Sequence, residues 1–210
     1  MIIPFVGNEA MVVEALRRGE VIAVPTDTVY GLCCSVFCDS AIERIYNIKH
    51  RPASQPVAIV VANISDIYNY VDITKLPARA SFVFEQFLPG PLTVLLESNG
   101  GIKSEHVVHD GRIAFRVVDV YPLSWIMKRV DYPLVLTSAN VHGADNCFTA
   151  EQVLSQLGEE VKYIIKAREV ERCFNDESTI IHFDGDGVVI DREGVVSKED
   201  FISQDIDVIS

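Results

Sequence analysis

The chain has 210 residues, 49% of them hydrophobic and 23% charged, with a formal net charge of −12. That length suits one domain or a tight pair, and the composition is that of a globular chain burying a real core. The acidic balance excludes a protein that holds nucleic acid by bulk electrostatics, although it leaves room for a local basic pocket.

The opening stretch, "MIIPFVGNEAM", has neither the basic start of a secretory signal nor the Arg-rich pattern of a transit peptide. Asn8 to Arg18 reads as an amphipathic helix, with Ala10, Val13, Ala15 and Leu16 on one face. Gly19 ends it. The strand Val21–Val24 then meets Pro25 and a cluster of small polar residues, Thr26, Asp27 and Thr28, followed by Tyr30 and Gly31. Such a cluster either builds a turn or holds a ligand at the strand's end. Of five cysteines, three crowd into "CCSVFC" (Cys33, Cys34 and Cys38). An odd count without paired Cys-x-x-Cys or Cys/His groups argues against a disulfide framework and a zinc site. Buried free thiols in a reducing compartment, the cytoplasm, are expected.

Ser40, with Glu43 three residues on, reads as a capping-box start for a helix over Ala41–Ile48. "PVAIVVA" (Pro56–Ala62) is a continuous apolar run, as in a strand buried on both faces. A short helix near Ile64–Tyr70 and a longer one over Leu76–Phe87 come next, and "LPGPLTVLLES" is a Pro-Gly-Pro turn feeding a strand, Leu92–Glu97. Residues 98–110 form an irregular polar loop long enough for a lid. The strands "RIAFRV" (Arg112–Val117) and "PLVLTS" (Pro133–Ser138) flank a helix over Leu123–Val130. Thr149 with Gln152 is a second capping-box start, and "STIIHF" and "VVIDR" are joined at Asp184–Gly187 as a hairpin. No repeat, low-complexity stretch, linker or apolar run of about 18 residues interrupts the pattern. The expectation is a single α/β domain over residues 1–210 with a mixed sheet, since the last hairpin must be antiparallel.

Ligands of open α/β sheets sit beyond the carboxyl ends of strands. The chemistry-bearing residues at such places are Thr26, Asp27 and Thr28 after the first strand, Arg116, Ser138 and Asn140 in "TSAN", and Arg192. Lys49 and Arg51, in "KHRP", close a helix. Singly, each has an ordinary reading: a lysine or arginine at the negative end of a helix, a Ser–Asn turn, an arginine paired with a core carboxylate. Converging, they make a pocket for anions, with Lys and Arg binding phosphate or carboxylate and Ser and Asn bonding oxygens at fixed angles. Neither G-x-x-x-x-G-K-[ST] nor G-x-G-x-x-G is present, the histidines lack metal-ligand spacing, and Ser138, His142 and Asp145 lie in one loop without a G-x-S-x-G elbow. The pattern is one that positions substrates rather than one with a covalent nucleophile.

"VPTDTVYGL", "KHRP", "LPGPLTVLL", "AFRV", "LTSAN", "ESTI" and "REG", in that order from about Val21 to Gly194, resemble the YrdC-type L-threonylcarbamoyladenylate synthases. The combination of K-x-R with S-x-N is the specific part. The resemblance implies a twisted mixed sheet with flanking helices around a basic cavity. It also implies synthesis of threonylcarbamoyl-AMP from L-threonine, bicarbonate and ATP, with release of pyrophosphate. A separate threonylcarbamoyl-transferase complex would carry the group to the tRNA adenosine beside the anticodon. By the same resemblance, Thr26, Arg116, Ser138 and Ser178 bind threonine, while Lys49, Arg51, Asn140 and Arg192 contact the nucleotide. Lys49 and Arg51 serve the chemistry. No cofactor is held tightly, ATP is a substrate carrying Mg²⁺, and contact with tRNA is weak.

Three departures stand out: Cys33 where the family commonly has Gly, Glu193 in place of the Pro of "RPG", and the charged Asp110 and Arg112 before the Arg116 strand. Glu193 is expected to draw off part of the charge of Arg192. The competing reading is a non-catalytic relative that binds RNA or nucleotide; the net charge of −12 and the lack of a basic, aromatic stacking stripe weigh against strong RNA binding.

Overall fold

A computed structural model describes residues 1–166, 174 and 176–209. The chain opens with β1 (Ile2–Pro4), α1 (Glu9–Arg17), β2 (Ile22–Val24) and β3 (Gly31–Ser35). Next come α2 (Asp39–Lys49), β4 (Ala58–Val61), α3 (Ile64–Ile67) and α4 (Ala80–Phe87). β5 (Leu92–Glu97) and β6 (Arg112–Val117) precede α5 (Leu123–Val130), β7 (Leu134–Ser138), α6 (Ala150–Leu157) and β8 (Tyr163–Lys166). β9 (Thr179–Asp184), β10 (Gly187–Arg192), α7 (Lys198–Ser203) and β11 (Val208–Ile209) complete the described elements.

These strands form one sheet in the order β1-β8-β2-β3-β7-β4-β6-β5-β9-β10-β11. Pairing is parallel between β1 and β8, β8 and β2, β4 and β6, β5 and β9, and β10 and β11. It is antiparallel at the other five junctions, the β9–β10 hairpin among them, so the sheet is mixed as expected.

Several expectations are corrected. Ser40 does not cap α2: the amides of Ala41 and Ile42 already bond the Cys38 carbonyl at 3.0 and 3.1 Å, so the helix starts earlier and Ser40 falls within its first turn. α4 begins at Ala80 rather than Leu76, because Pro77 biases the residue before it towards extended backbone, and Leu76 has ψ 128°. The capping box of Thr149 and Gln152 forms as read. The 98–110 loop is no free flap. Its Ile102 and Val107 are buried in the core, and the His106 carbonyl accepts from the Val57 amide at 3.0 Å and the Tyr46 hydroxyl at 3.3 Å. β1, β3, β8, α7 and β11 escaped the sequence reading altogether.

Each strand alternates its side chains between two faces. One face carries Leu32, Ile59, Val94, Phe115, Val135 and Ile181, packed under α2, α3, α4, α6 and α7 in the larger core. On the other face, Ile22, Val24, Val60 and Leu134 pack, among the described residues, under α1 and α5 alone. Ile59 and Val60 fall in different clusters, so β4 is buried on both sides, as its unbroken apolar run indicates. Cys33, Cys34 and Cys147 are buried free thiols and Cys38 is half-buried; the fifth, Cys173, lies outside the described residues. Among the described residues, no helix is long and apolar enough to cross a membrane.

Phe115 is fully buried at the centre of β6. Phe115→Ala is expected to cost about 3–5 kcal/mol of stability, the usual cavity penalty for a core phenylalanine, read as a lowered urea midpoint at unchanged slope.

Candidate active site

The sheet face under α1 and α5 extends beyond what two helices cover, and the uncovered part is a cavity of about 390 Å³. Its floor consists of alternate residues from neighbouring strands: Thr93 and Leu95 of β5, Ala114 and Arg116 of β6, and Leu136 and Ser138 of β7. The site is thus a sheet face as much as a set of strand ends, which adjusts the expectation drawn from open α/β sheets. The rim comes from the 26–31 turn, Arg51, Pro56 and Val57, and from Glu177, Ser178, Asp191 and Arg192.

The Thr26–Thr28 cluster both builds a turn and walls the cavity. The Thr26 hydroxyl donates to the Val29 carbonyl at 2.7 Å and accepts from the Thr28 amide at 3.1 Å. Asp27 turns away from the cavity towards Arg116, whose Nη2 donates to Asp27 Oδ1 at 2.5 Å and to Thr28 Oγ1 at 3.0 Å. Both ends of this ion pair are buried. Burial raises the Asp27 carboxyl above its ordinary value, partly offset by the guanidinium, and lowers the Arg116 guanidinium, partly offset by Asp27. Arg116 Nε is buried with no hydrogen-bond partner among the described residues, on a side chain that lines the cavity. A donor left so costs free energy unless a ligand accepts from it.

Lys49 is 1% exposed and does not line the cavity. Its ammonium donates to the Asn140 carbonyl at 2.8 Å, to Asn140 Oδ1 at 3.0 Å and to the Ser138 carbonyl. Ser138 Oγ donates to the same Oδ1 at 2.6 Å, and Asn140 Nδ2 donates to the Ala144 carbonyl at 2.6 Å. Lys49 therefore grips the Ser138–Asn140 turn from behind the wall, and the Ser138 hydroxyl bonds Asn140, which disposes of a triad with His142. Arg51 reaches the cavity with Nε and Nη2 on the carbonyls of Gln55 and Pro56, at 3.1 and 2.9 Å. Among the described residues it has no carboxylate partner, which leaves it a cation available to an anionic ligand.

Arg192 Nη1 pairs with Glu177, and its Nη2 donates to the Ser178 carbonyl at 2.6 Å. Glu193 is not its partner. Glu193 Oε1 instead accepts from the Lys198 amide at 3.3 Å, so the departure from "RPG" leaves Arg192 to Glu177. Gly194 lets two segments touch: a Cβ there would sit 2.3 Å from the Glu177 carbonyl oxygen and 2.8 Å from the Ser178 carbonyl carbon. Cys33, the second departure, is a buried β3 residue in the smaller core, away from the ligand wall. Asp110 and Arg112 do not line this cavity; Arg112 faces a separate hollow of about 440 Å³.

Six of the eight nominated residues (Thr26, Arg51, Arg116, Ser138, Ser178 and Arg192) line one cavity, while Lys49 and Asn140 brace it. The sequence reading missed the partners. Asp27 was within view in "PTDT", but nothing in the linear order joins it to Arg116, and Glu177 and Thr93 are likewise visible only as neighbours of noted residues. Among the described residues, no group of three or more His, Cys, Asp or Glu side chains is placed to hold a metal ion.

A mixed α/β sheet with a cavity of paired cations and hydroxyls on its open face defines a substrate-positioning protein. The family model Sua5_yciO_yrdC, described as telomere recombination, matches residues 14–194, and the chain belongs to that family. It is 34% identical over 161 residues to the threonylcarbamoyl-AMP synthase of Vibrio vulnificus, covering 76% of this chain and 86% of that one. The fold matches P. abyssi Sua5 complexed with L-threonine, with a TM-score of 0.82 and 24% identity over 95% of this chain; this chain spans 58% of that longer protein. E. coli YciO matches with a TM-score of 0.78 and 24% identity over 91% of both chains.

Burial, reinforced by Arg51, lowers the Lys49 ammonium from 10.5 to about 8. The folded chain thus binds this proton more weakly than the unfolded chain, so the stability linked to it is complete above about pH 10.5 and is lost as the pH falls through 8. Wild type is expected to gain on Lys49→Met as the pH rises from 8 to 10.5. The gain reaches at most about 3.5 kcal/mol, at about 1.4 kcal/mol per pKa unit, and is measured by urea unfolding of both proteins across that range.

Proposed function

We propose that this chain makes threonylcarbamoyl-AMP, the product that the name of its V. vulnificus relative gives for that protein, from L-threonine, bicarbonate and ATP with release of pyrophosphate. The observation that carries the reading is the cavity itself, where buried Arg116 with its unaccepted Nε, the Ser138 and Ser178 hydroxyls, and the cations Arg51 and Arg192 meet in one space.

In this reading Arg116 takes the threonine carboxylate, Thr26 helps to hold the amino acid, and Ser138 and Ser178 hydrogen-bond nearby. The threonine amine adds to bicarbonate, losing water to give N-carboxy-threonine. A carboxylate oxygen of that species attacks the α-phosphorus of ATP as the bond to the β-phosphate oxygen breaks, and pyrophosphate leaves. Arg51 and Arg192 neutralise the charge growing on the leaving group, in a site already organised for it. Lys49 serves both the chemistry and the nucleotide by fixing the Ser138–Asn140 turn, and Asn140 presents that turn to the nucleotide. Mg²⁺ enters on the ATP phosphates, and no cofactor is held between turnovers. The product passes to a separate threonylcarbamoyl-transferase complex acting on the tRNA adenosine next to the anticodon, in the cytoplasm, with no more than weak contact between this chain and tRNA.

Pyrophosphate release from ATP is expected only when L-threonine and bicarbonate are both supplied. Arg116→Lys keeps the charge but loses the planar fork, and should lower kcat/KM for threonine by about 10- to 100-fold, the equivalent of about 1.4–3 kcal/mol. ATP binding without release under any mixture would instead identify a non-catalytic relative that binds nucleotide.

A further inference from the structure

We propose that Thr93 is a specificity-determining residue, whose hydroxyl, paired with that of Ser178, reads the β-hydroxyl of the amino-acid substrate. This rests on the synthase reading above and names how the amino acid is told from its analogues.

Thr93 is a buried polar residue in a strand whose neighbours, Leu92, Val94, Leu95 and Leu96, are apolar. Its side chain lines the cavity, and Thr93 Oγ1 lies 2.8 Å from Ser178 Oγ. The β5–β6 register sets Val94 against Phe115 and Leu95 against Ala114, which brings Thr93 and Arg116 onto the same face of adjacent strands. On its other flank Thr93 is in register with Ile180 of β9. A row across the cavity floor therefore runs from guanidinium to hydroxyl pair to apolar side chain, with Leu95 and Ala114 beside it.

That row matches one kind of ligand. A carboxylate placed at Arg116 stands two carbons from a β-hydroxyl, which then reaches the Thr93–Ser178 pair. When two hydroxyls bond each other, one O–H donor and several lone pairs remain, so the pair both donates and accepts, as a ligand hydroxyl does. The apolar neighbours are left to receive the methyl group. The pair is not needed to hold β5 to β9, because backbone pairing at Leu92–Thr179, Thr93–Ile180 and Val94–Ile181 already does so. A site built to bond a hydroxyl rejects an analogue lacking it by roughly 10⁴-fold, whereas an apolar pocket separates near-isosteres by only about 10- to 200-fold. Valine, isosteric with threonine but without the hydroxyl, is therefore the informative competitor.

The test compares wild type, Thr93→Val and Thr93→Ser with ATP and bicarbonate, offering L-threonine or L-valine, by pyrophosphate release and by calorimetric binding of each amino acid. Thr93→Val is expected to lose about 30-fold or more of the threonine-over-valine preference, while Thr93→Ser keeps it within about threefold. An unchanged preference in Thr93→Val, or an equal loss for both amino acids, overturns the assignment and leaves the residue a structural role. Should Thr93→Val not fold, Ser178→Ala removes the other hydroxyl and carries the same expectation. Wild type that neither binds threonine nor releases pyrophosphate with it defeats the synthase reading itself, and this assignment with it, before any variant is made.

Discussion

The eleven strands among the described residues make a sheet with more surface than two helices can cover. That shortfall governs the molecule. One face is closed by α2, α3, α4, α6 and α7, while the other is closed by α1 and α5 over Ile22, Val24, Val60 and Leu134 only. Apolar residues on the remaining area would stand bare in water, at about 25 cal/mol for each Å² left unburied. The chain instead sets Thr93, Arg116 and Ser138 among a few small or aliphatic residues there, and folds the 26–31 turn and the segment around Ser178 over the edge as walls.

Placing cations on such a surface raises a second requirement, since a buried charge is tolerated only with a partner. Arg116 has Asp27 and the Lys49 ammonium is surrounded by oxygens of Ser138 and Asn140, while the exposed Arg192 pairs with Glu177 at the rim. These contacts keep the donors where they are before any ligand arrives, so little reorganisation is left for the moment of reaction. Arg51 bonds the carbonyls of Gln55 and Pro56 and has no carboxylate partner among the described residues. The cavity is therefore lined by two arginines that each hold a carboxylate partner and by one that has none among the described residues.

The elements that could be read in advance were those with a strong local signal. β5, β6 and α5 have their expected limits because periodicity and the flanking Pro and Gly residues agree. β3 was passed over because "GLCCS" has a Gly and two Cys in place of β-branched residues, and it becomes a strand through its pairing with β2 and β7. β1, β8 and β11 are short, and their ladders depend on partners far along the chain, for which local propensity offers no cue. The start of α2 was misplaced for a related reason: Ser40 is a better capping residue than Cys38, yet the turn begins where the backbone bonds to Cys38.

At the site, the candidate side chains were legible in the linear order. Thr26, Lys49, Arg51, Arg116, Ser138, Asn140, Ser178 and Arg192 stand out by type, by position at the ends of elements and by resemblance to a known family. Which of them face a ligand and which only brace it was decided by the tertiary structure. Lys49 and Arg51 are two residues apart, yet one is sealed behind the Ser138–Asn140 turn and the other opens onto the cavity. Asp27 and Arg116, or Thr93 and Ser178, meet only once strands distant in the chain lie side by side. Residue type is a local property that a sequence states directly, whereas partnership across a sheet depends on register and on which face each strand turns to the helices, and packing alone settles those.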